Sequence, residues 1–315
     1  MRILITGGAG FLGSNLTRLL ISKGHTVLCL DNLYSSSYEN IKELEGNKQF
    51  IFINGDVNDT IDFGSIDQVY HLACPASPIW YQKDPLYTFD TCVKGTRNIL
   101  EIAKTNRAKF LYTSTSEVYG DPSIHPQPET YWGNVNTQGP RSCYDEGKRA
   151  AETMIMEFGK KHKLEWKIVR LFNTYGPRMA ANDGRVVSNF IMQALNNKPI
   201  TIYGQGQQTR SFGYVDDTIA GIFQMMQSAK KVNGPINIGN PGEFTMLELA
   251  EKIIQKTGSQ SKIVFEPLPK DDPKQRKPDI TLANAQLKWN PTINLDSGLD
   301  KTIAYFRETH GQVAI

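Results

Sequence analysis

The first thirty residues restrict the fold more than any other stretch. An apolar run, Ile3-Leu4-Ile5, leads straight into Gly7-Gly8-Ala9-Gly10-Phe11-Leu12-Gly13. Leu16, Leu19, Leu20 and Ile21 then recur at helical spacing up to Gly24, and a second apolar run, Val27-Leu28-Cys29-Leu30, ends on Asp31. Strand, glycine turn, helix, strand and acid in this order predict a dinucleotide-binding unit. Glycines at 7, 10 and 13 permit a tight turn and a close approach of backbone to a pyrophosphate, which rests on the amides of a helix N-terminus. Asp31 is placed to accept hydrogen bonds from the adenosine ribose hydroxyls and to repel a 2′-phosphate, so the expected cofactor is NAD and not NADP.

The same alternation continues. Strands are expected at 50–53, 67–72, 110–112 and 166–172, with helices at 84–104 and 141–161; Leu86, Phe89, Val93 and Ile99 are the candidate buried positions of the first helix. This rhythm predicts an α/β fold with a doubly wound parallel (Rossmann) sheet. From Asn173 the texture changes to glycine turns and shorter segments, with helices expected at 186–195, 216–228, 245–256 and 297–306 and strands at 200–202, 236–238 and 263–265. The chain is therefore read as an NAD-binding domain over 1–172 and a smaller α/β substrate-binding lobe over 173–315, some segments of which return to the first domain.

A net charge of +3 over 315 residues, with no basic block, argues against nucleic acid or an anionic membrane as partner. No apolar run approaches the ~18 residues of a membrane span and no leader precedes the first strand, so a cytoplasmic protein is expected. The four cysteines are scattered without a Cys-x-x-Cys pair, which fits reduced thiols. The five histidines have no ligand partner at helical spacing; His71 reads as a satisfied strand residue, and no metal is expected.

The chemistry is expected between 110 and 148. There a strand runs into Thr113-Ser114-Thr115-Ser116-Glu117, and a helix carries Tyr144 and Lys148. Four residues apart, these two share one helical face. A phenol titrates near ~10, and an ammonium beside it lowers that value, which makes a tyrosine a usable proton acceptor. Thr115 and Glu117, at the C-terminal end of the strand, face the same space. Asp56, after the third strand, either meets the adenine amino group or closes a turn. Small residues and prolines at 73–78 form a rigid shelf where open α/β sheets bind ligands. Arg185, Arg210 and Arg276 have the planar fork that suits phosphate oxygens, although solvated surface charges read the same way, and 270–277 looks like an exposed loop. Tyr203 stacks on a base or packs.

These residues resemble one family closely. The carriers are Thr113-Ser114-Thr115-Ser116-Glu117-Val118-Tyr119-Gly120, Arg141-Ser142-Cys143-Tyr144-Asp145-Glu146-Gly147-Lys148-Arg149, Phe172-Asn173-Thr174-Tyr175-Gly176-Pro177-Arg178, Gln208-Thr209-Arg210-Ser211-Phe212 and Arg276-Lys277-Pro278-Asp279. Together with the 73–78 shelf they look like the UDP-glucuronate decarboxylases (UDP-xylose synthases) of the extended short-chain dehydrogenase/reductase family, and the likeness covers nearly the whole chain. It implies NAD-dependent decarboxylation of UDP-glucuronate through a C4-keto sugar, ending in UDP-xylose. Tyr144, Lys148, Thr115, Ser116, Glu117 and Arg276 are the implied catalytic set. Gly7, Gly10, Phe11, Leu12, Gly13, Asp31, Asn32, Asp56, Val57, Leu72, Ala73, Ser77, Tyr144 and Lys148 are implied to hold NAD. Asn173, Arg185, Val187, Tyr203, Arg210 and Arg276 are implied to hold the UDP-sugar. A homodimer through a four-helix bundle of the two long helices is implied as well. Release of the 4-keto pentose, 4,6-dehydratase or epimerase chemistry on another sugar nucleotide, and a non-catalytic NAD-sensing scaffold are the competing readings. One position departs from the pattern: Cys92, in Thr91-Cys92-Val93-Lys94-Gly95-Thr96, stands where the family usually has Asn. A thiol replaces a carboxamide poorly as a hydrogen-bonding group.

Overall fold

Seven parallel strands form the central sheet of the computed structural model, which describes residues 1–268 and 275–310. They are β1 (Arg2–Thr6), β2 (Thr26–Asp31), β3 (Phe50–Asn54), β4 (Gln68–His71), β5 (Lys109–Thr115), β6 (Trp166–Leu171) and β7 (Ile236–Ile238). Their spatial order is β7-β6-β5-β4-β1-β2-β3. The order reverses between β1 and β4, and the crevice beyond the strand ends at such a reversal is where open α/β sheets bind ligands. Both faces are covered. In β1, Ile3 and Ile5 join the core on one face and Leu4 the core on the other, as the two-residue period of a strand requires.

The core below Leu4 is closed by the helix Thr96–Asn106, through Ile99 and Leu100, and by the helix Ser142–His162, through Ala151, Ile155 and Phe158. The opposite core runs without a break from β1 through Tyr175, Phe190, Ile222 and Trp289 to Phe306. Residues beyond 172 thus pack on the same sheet, and β7, read from sequence as part of the second lobe, pairs with β6 as its seventh strand.

The expected helix at 84–104 is present with an irregular middle. Pro85–Asp90 and Thr96–Asn106 are α-helical, and Thr91–Gly95 between them widens into a π-type turn. Such turns insert a residue and re-aim the side chains they carry. Two of the expected buried residues are not buried: Leu86 is 80% exposed and Phe89 is 38% exposed, while Ile99 is inside. Val93 is half-buried. The apolar pattern was read as a core face, but Leu86 and Phe89 lie on the outer surface. Arg276 corrects the reading of 270–277 as an exposed loop: Gln275–Arg276 is a short strand beside Thr209–Ser211, and Arg276 is 2% exposed. Residues 270–274 lie outside the described residues. No helix among the described residues is long and apolar enough to cross a membrane.

Candidate active site

The cofactor half of the site is made by backbone. Gly7 takes a left-handed φ of +70°, and a Cβ there would come within 2.9 Å of the Ala73 backbone, so the glycine turn is pressed onto the shelf. A Cβ on Gly13 would collide with the Gly7 carbonyl oxygen. The helix Phe11–Ser22 begins at Gly10 with no side-chain cap and no acid in its first turn, which leaves its amides available to an anion. This cradle fits a dinucleotide pyrophosphate. Asp31, at the end of β2, is buried and accepts from Ala9 N (2.9 Å), Leu33 N (2.9 Å) and Ser36 Oγ (2.7 Å). A carboxylate has about four acceptor sites, so Asp31 keeps capacity for a ribose hydroxyl. Burial nevertheless pushes its pKa upward. Asp56 accepts from Asn32 Nδ2 (2.8 Å), Tyr87 Oη (2.7 Å) and Asn58 N (2.8 Å), so it closes a turn and orders the neighbouring wall as well.

Gly7, Gly10, Gly13, Asp31, Asn32, Asp56 and Ala73 line one cleft of about 1290 Å³, along with Phe11, Leu12, Val57, Leu72 and Ser77. That exceeds the ~300–1,000 Å³ usual for a single small ligand and suits two nucleotides. The same cleft is lined by Thr115, Ser116, Glu117, Tyr144, Lys148, Asn173, Arg185, Val187, Tyr203, Arg210 and Arg276. Every site residue read from the sequence therefore comes to one place.

Tyr144 and Lys148 face inward from the helix Ser142–His162, and both are buried. Lys148 Nζ donates to the Thr113 carbonyl at 2.9 Å, lies 4.6 Å over the Tyr112 ring and 5.8 Å from the Tyr144 ring centre. The expected acidification of Tyr144 by this ammonium does not govern the phenol in the protein alone. Burial pushes Tyr144 well above its ordinary value, Cys74 adds to this, and hydrogen bonding with Thr115 opposes it. The physical reason is desolvation, which disfavours a phenolate more than a cation at this distance favours it. His71, under the site, is satisfied between Thr6 Oγ1 (2.6 Å) and Thr96 Oγ1 (3.0 Å), and burial and Lys148 hold its pKa down to about 3.

The substrate half is made by charge. Glu117, in the single turn Ser116–Tyr119 after β5, is ion-paired with both Arg276 and Arg141. Arg276 also donates to the Gly120 carbonyl at 2.6 Å. Arg210 is the register partner of Arg276 on the adjacent strand. Burial works to raise the Glu117 pKa, but Arg276, Arg141 and Arg210 outweigh it and hold the carboxyl below its usual range. Three guanidiniums thus act on this one carboxylate. Asp145, next to Tyr144, goes the other way: burial first, then the Glu117 charge, push it up to about 7. The two nearby carboxyls therefore shift in opposite directions. Arg185 pairs with Asp183 at 2.7 Å at the mouth, and Tyr203 stays 45% exposed at the rim.

Sequence reasoning missed two contributors. Arg141 lies three residues before Tyr144, a spacing that placed it on the same helical face. Tyr81 stacks on Tyr144 with ring centres 5.3 Å apart and planes within 7°. No sequence signal pointed to Tyr81. No cluster of three or more metal-ligating side chains occurs among the described residues.

Comparison with known proteins agrees with this geometry. The pattern of the NAD dependent epimerase/dehydratase family matches residues 3–239. UDP-glucuronic acid decarboxylase 1 of Arabidopsis thaliana is 52% identical over 307 residues, covering 98% of this chain and 70% of that protein. Among solved structures, UDP-glucose 4-epimerase of Thermotoga maritima with UDP-glucose superposes with a TM-score of 0.91 at 30% identity, covering 98% of this chain and 99% of the other. UDP-glucuronic acid 4-epimerase of Bacillus cereus, in complex with UDP-glucuronic acid and NAD, gives 0.89 at 31% identity with the same coverage. The chain belongs to the NAD dependent epimerase/dehydratase family and, within it, to the UDP-glucuronic acid decarboxylases.

Proposed function

We propose that the protein decarboxylates UDP-glucuronate to UDP-xylose with NAD retained in the site. The observation that carries this reading is the arginine-bound carboxylate Glu117 lying in the same cleft as Tyr144 and Lys148. Tyr144, aided by Thr115, takes the proton of the sugar C4 hydroxyl. Bound NAD would supply a reversible hydride acceptor for C4 and a positive ring charge that favours the phenolate. Lys148 anchors the nicotinamide ribose. With a ketone at C4 the carboxylate at C5 is β to a carbonyl, so the electrons left by departing CO2 spread into an enolate.

Ser116 and Glu117 sit where that carboxylate leaves and where C5 regains a proton. Arg276 contacts the substrate beside them. Arg210, Arg185, Asn173, Val187 and Tyr203 hold the UDP moiety, the arginines by bidentate contact with phosphate oxygens. Gly7, Gly10, Phe11, Leu12, Gly13, Asp31, Asn32, Asp56, Val57, Leu72, Ala73 and Ser77 hold NAD. The surface that exposes Leu86 and Phe89 supports pairing of two copies through the long helices into a four-helix bundle. Four free cysteines support a reducing, cytoplasmic setting.

Incubation with UDP-glucuronate alone tests the reading. Release of CO2 with formation of UDP-xylose and no NADH in solution is the expected result. A C4-epimer that keeps its carboxylate would assign epimerase chemistry instead. Sedimentation of a Leu86→Asp variant tests the bundle, and an unchanged dimer would exclude that face.

A further inference from the structure

Two thiols meet directly behind the catalytic pair. Cys74, on the shelf after β4, lines the cleft, and its Sγ lies 3.2 Å from the Sγ of Cys92. Cys92 is buried in the π-type turn Thr91–Gly95. Its side chain rests on the bare Cα of Gly147, where an added Cβ would come within 2.9 Å of the Cys92 Cβ. Gly147 stands between Tyr144 and Lys148 on the catalytic helix. The residue that departs from the family pattern thus touches the shelf on one side and the catalytic helix on the other.

We propose that Cys74 and Cys92 are an oxidative modification site, in which a peroxide links the two sulfurs and disables the cleft. Cys74 is the attacking sulfur because it faces the cleft, and Cys92 is the resolving one. The Cys74 thiolate attacks one peroxide oxygen, the O–O bond breaks, and a sulfenic acid forms as hydroxide departs. The Cys92 sulfur then attacks the Cys74 sulfur, the S–O bond breaks, and water leaves. Overall two thiols lose two electrons and two protons, and the peroxide is reduced to two waters. Burial works to raise the Cys74 pKa, but the hydrogen bond with Cys92 and the charge of Lys148 outweigh it and favour the reactive thiolate.

A disulfide holds its sulfurs about 2.0 Å apart, so bond formation draws the two together by roughly 1 Å. The shelf at Ala73 is packed on Gly7 and the turn at Cys92 on Gly147, so this movement acts on the cofactor cradle and the catalytic helix together. Cofactor affinity and turnover fall as a result, and a thiol reductant restores both.

The test treats the reduced, NAD-loaded protein with hydrogen peroxide and follows peptide masses, NAD affinity and CO2 release from UDP-glucuronate. The expected result is a peptide joining Cys74 to Cys92, lighter by two hydrogens. With it go at least a fivefold loss of activity and of NAD affinity, reversed by dithiothreitol. Cys143→Ser should keep this response. Cys92→Ser, judged against its own untreated activity, should lose both the linked peptide and the reversibility. Should the protein release no CO2 under any condition, the linked peptide and the NAD affinity still decide the matter. The proposal is overturned if Cys74 proceeds to a sulfinic acid or stays unmodified while Cys92 is free, or if full cross-linking leaves NAD affinity and activity unchanged.

Discussion

The two halves of the cleft are built by different means. The cofactor half rests on backbone: three glycines, one helix N-terminus and one acid, all within residues 7–31. The substrate half rests on side-chain charge gathered from far apart, since Glu117 meets Arg276 across 159 positions and Arg141 across 24. A cradle of amides and bare Cα atoms is indifferent to ionisation. A half-buried carboxylate among guanidiniums is set by pH and by the loss of any one partner. Damage to the first half should therefore appear as weaker NAD binding, and damage to the second as altered stability and pH dependence.

Tyr144 stands where the halves join, so its removal should give the largest effect on turnover. Tyr144→Phe keeps the ring that stacks on Tyr81 and deletes the proton acceptor. A fall of about 10³-fold in the rate of CO2 release is expected, with NAD affinity little changed. If NAD affinity falls equally, the phenol serves the cradle and the division between halves fails there.

Arg276→Ala comes next. It leaves the half-buried Glu117 with one guanidinium fewer, and breaking a largely buried pair from one side costs about 3 kcal/mol. The loss should appear in urea unfolding at pH 7. The pH signature has a definite sign. Because the Glu117 pKa is depressed in the folded protein, its contribution is fully present above the unfolded value of ~4.3 and is lost as pH falls through the lower folded value. In Arg276→Ala the folded value rises, so the acid limb of stability should move to higher pH. An unmoved limb would mean that Arg141 and Arg210 suffice.

Asp145→Asn should act oppositely and more weakly. With its folded pKa raised to about 7, Asp145 holds a proton that the unfolded chain releases from ~3.9 upward. Stability is therefore lost as pH rises through that window. Replacing the carboxyl by an amide should stabilise the protein at pH 8 by at least about 1 kcal/mol relative to pH 5. Equal effects at both pH values would show that Asp145 is not neutralised in the fold.

The contrast between the halves also explains how much of the molecule was legible in its sequence. The glycine turn, the order of strands and helices, and the Tyr144–Lys148 face are local patterns, and local patterns survive into structure because neighbouring residues create them. Arg276 looked like a loop charge because its burial comes from a strand at Thr209–Ser211 and a carboxylate after β5, neither of which is near it in sequence. Leu86 and Phe89 failed for a related reason: periodicity marks an apolar face without saying whether the chain itself covers it. The direction of the Tyr144 shift was misread because spacing placed the lysine nearby but said nothing of desolvation.

Asp31 gives a small expected effect and the sharpest test of the cofactor half. Its carboxylate accepts from Ala9 N in the glycine turn and from Ser36 Oγ in the next loop, so it is a structural tie as well as a candidate ribose acceptor. Asp31→Asn keeps one acceptor oxygen and removes the negative charge. If the residue only ties the turn, affinities for NAD and NADP should fall together. If it also reads the ribose, the NAD dissociation constant should rise about tenfold, near 1.4 kcal/mol, while NADP binding improves because its 2′-phosphate no longer meets a carboxylate. Titration of both dinucleotides against both proteins separates the cases, since only selection by charge moves the two affinities in opposite directions.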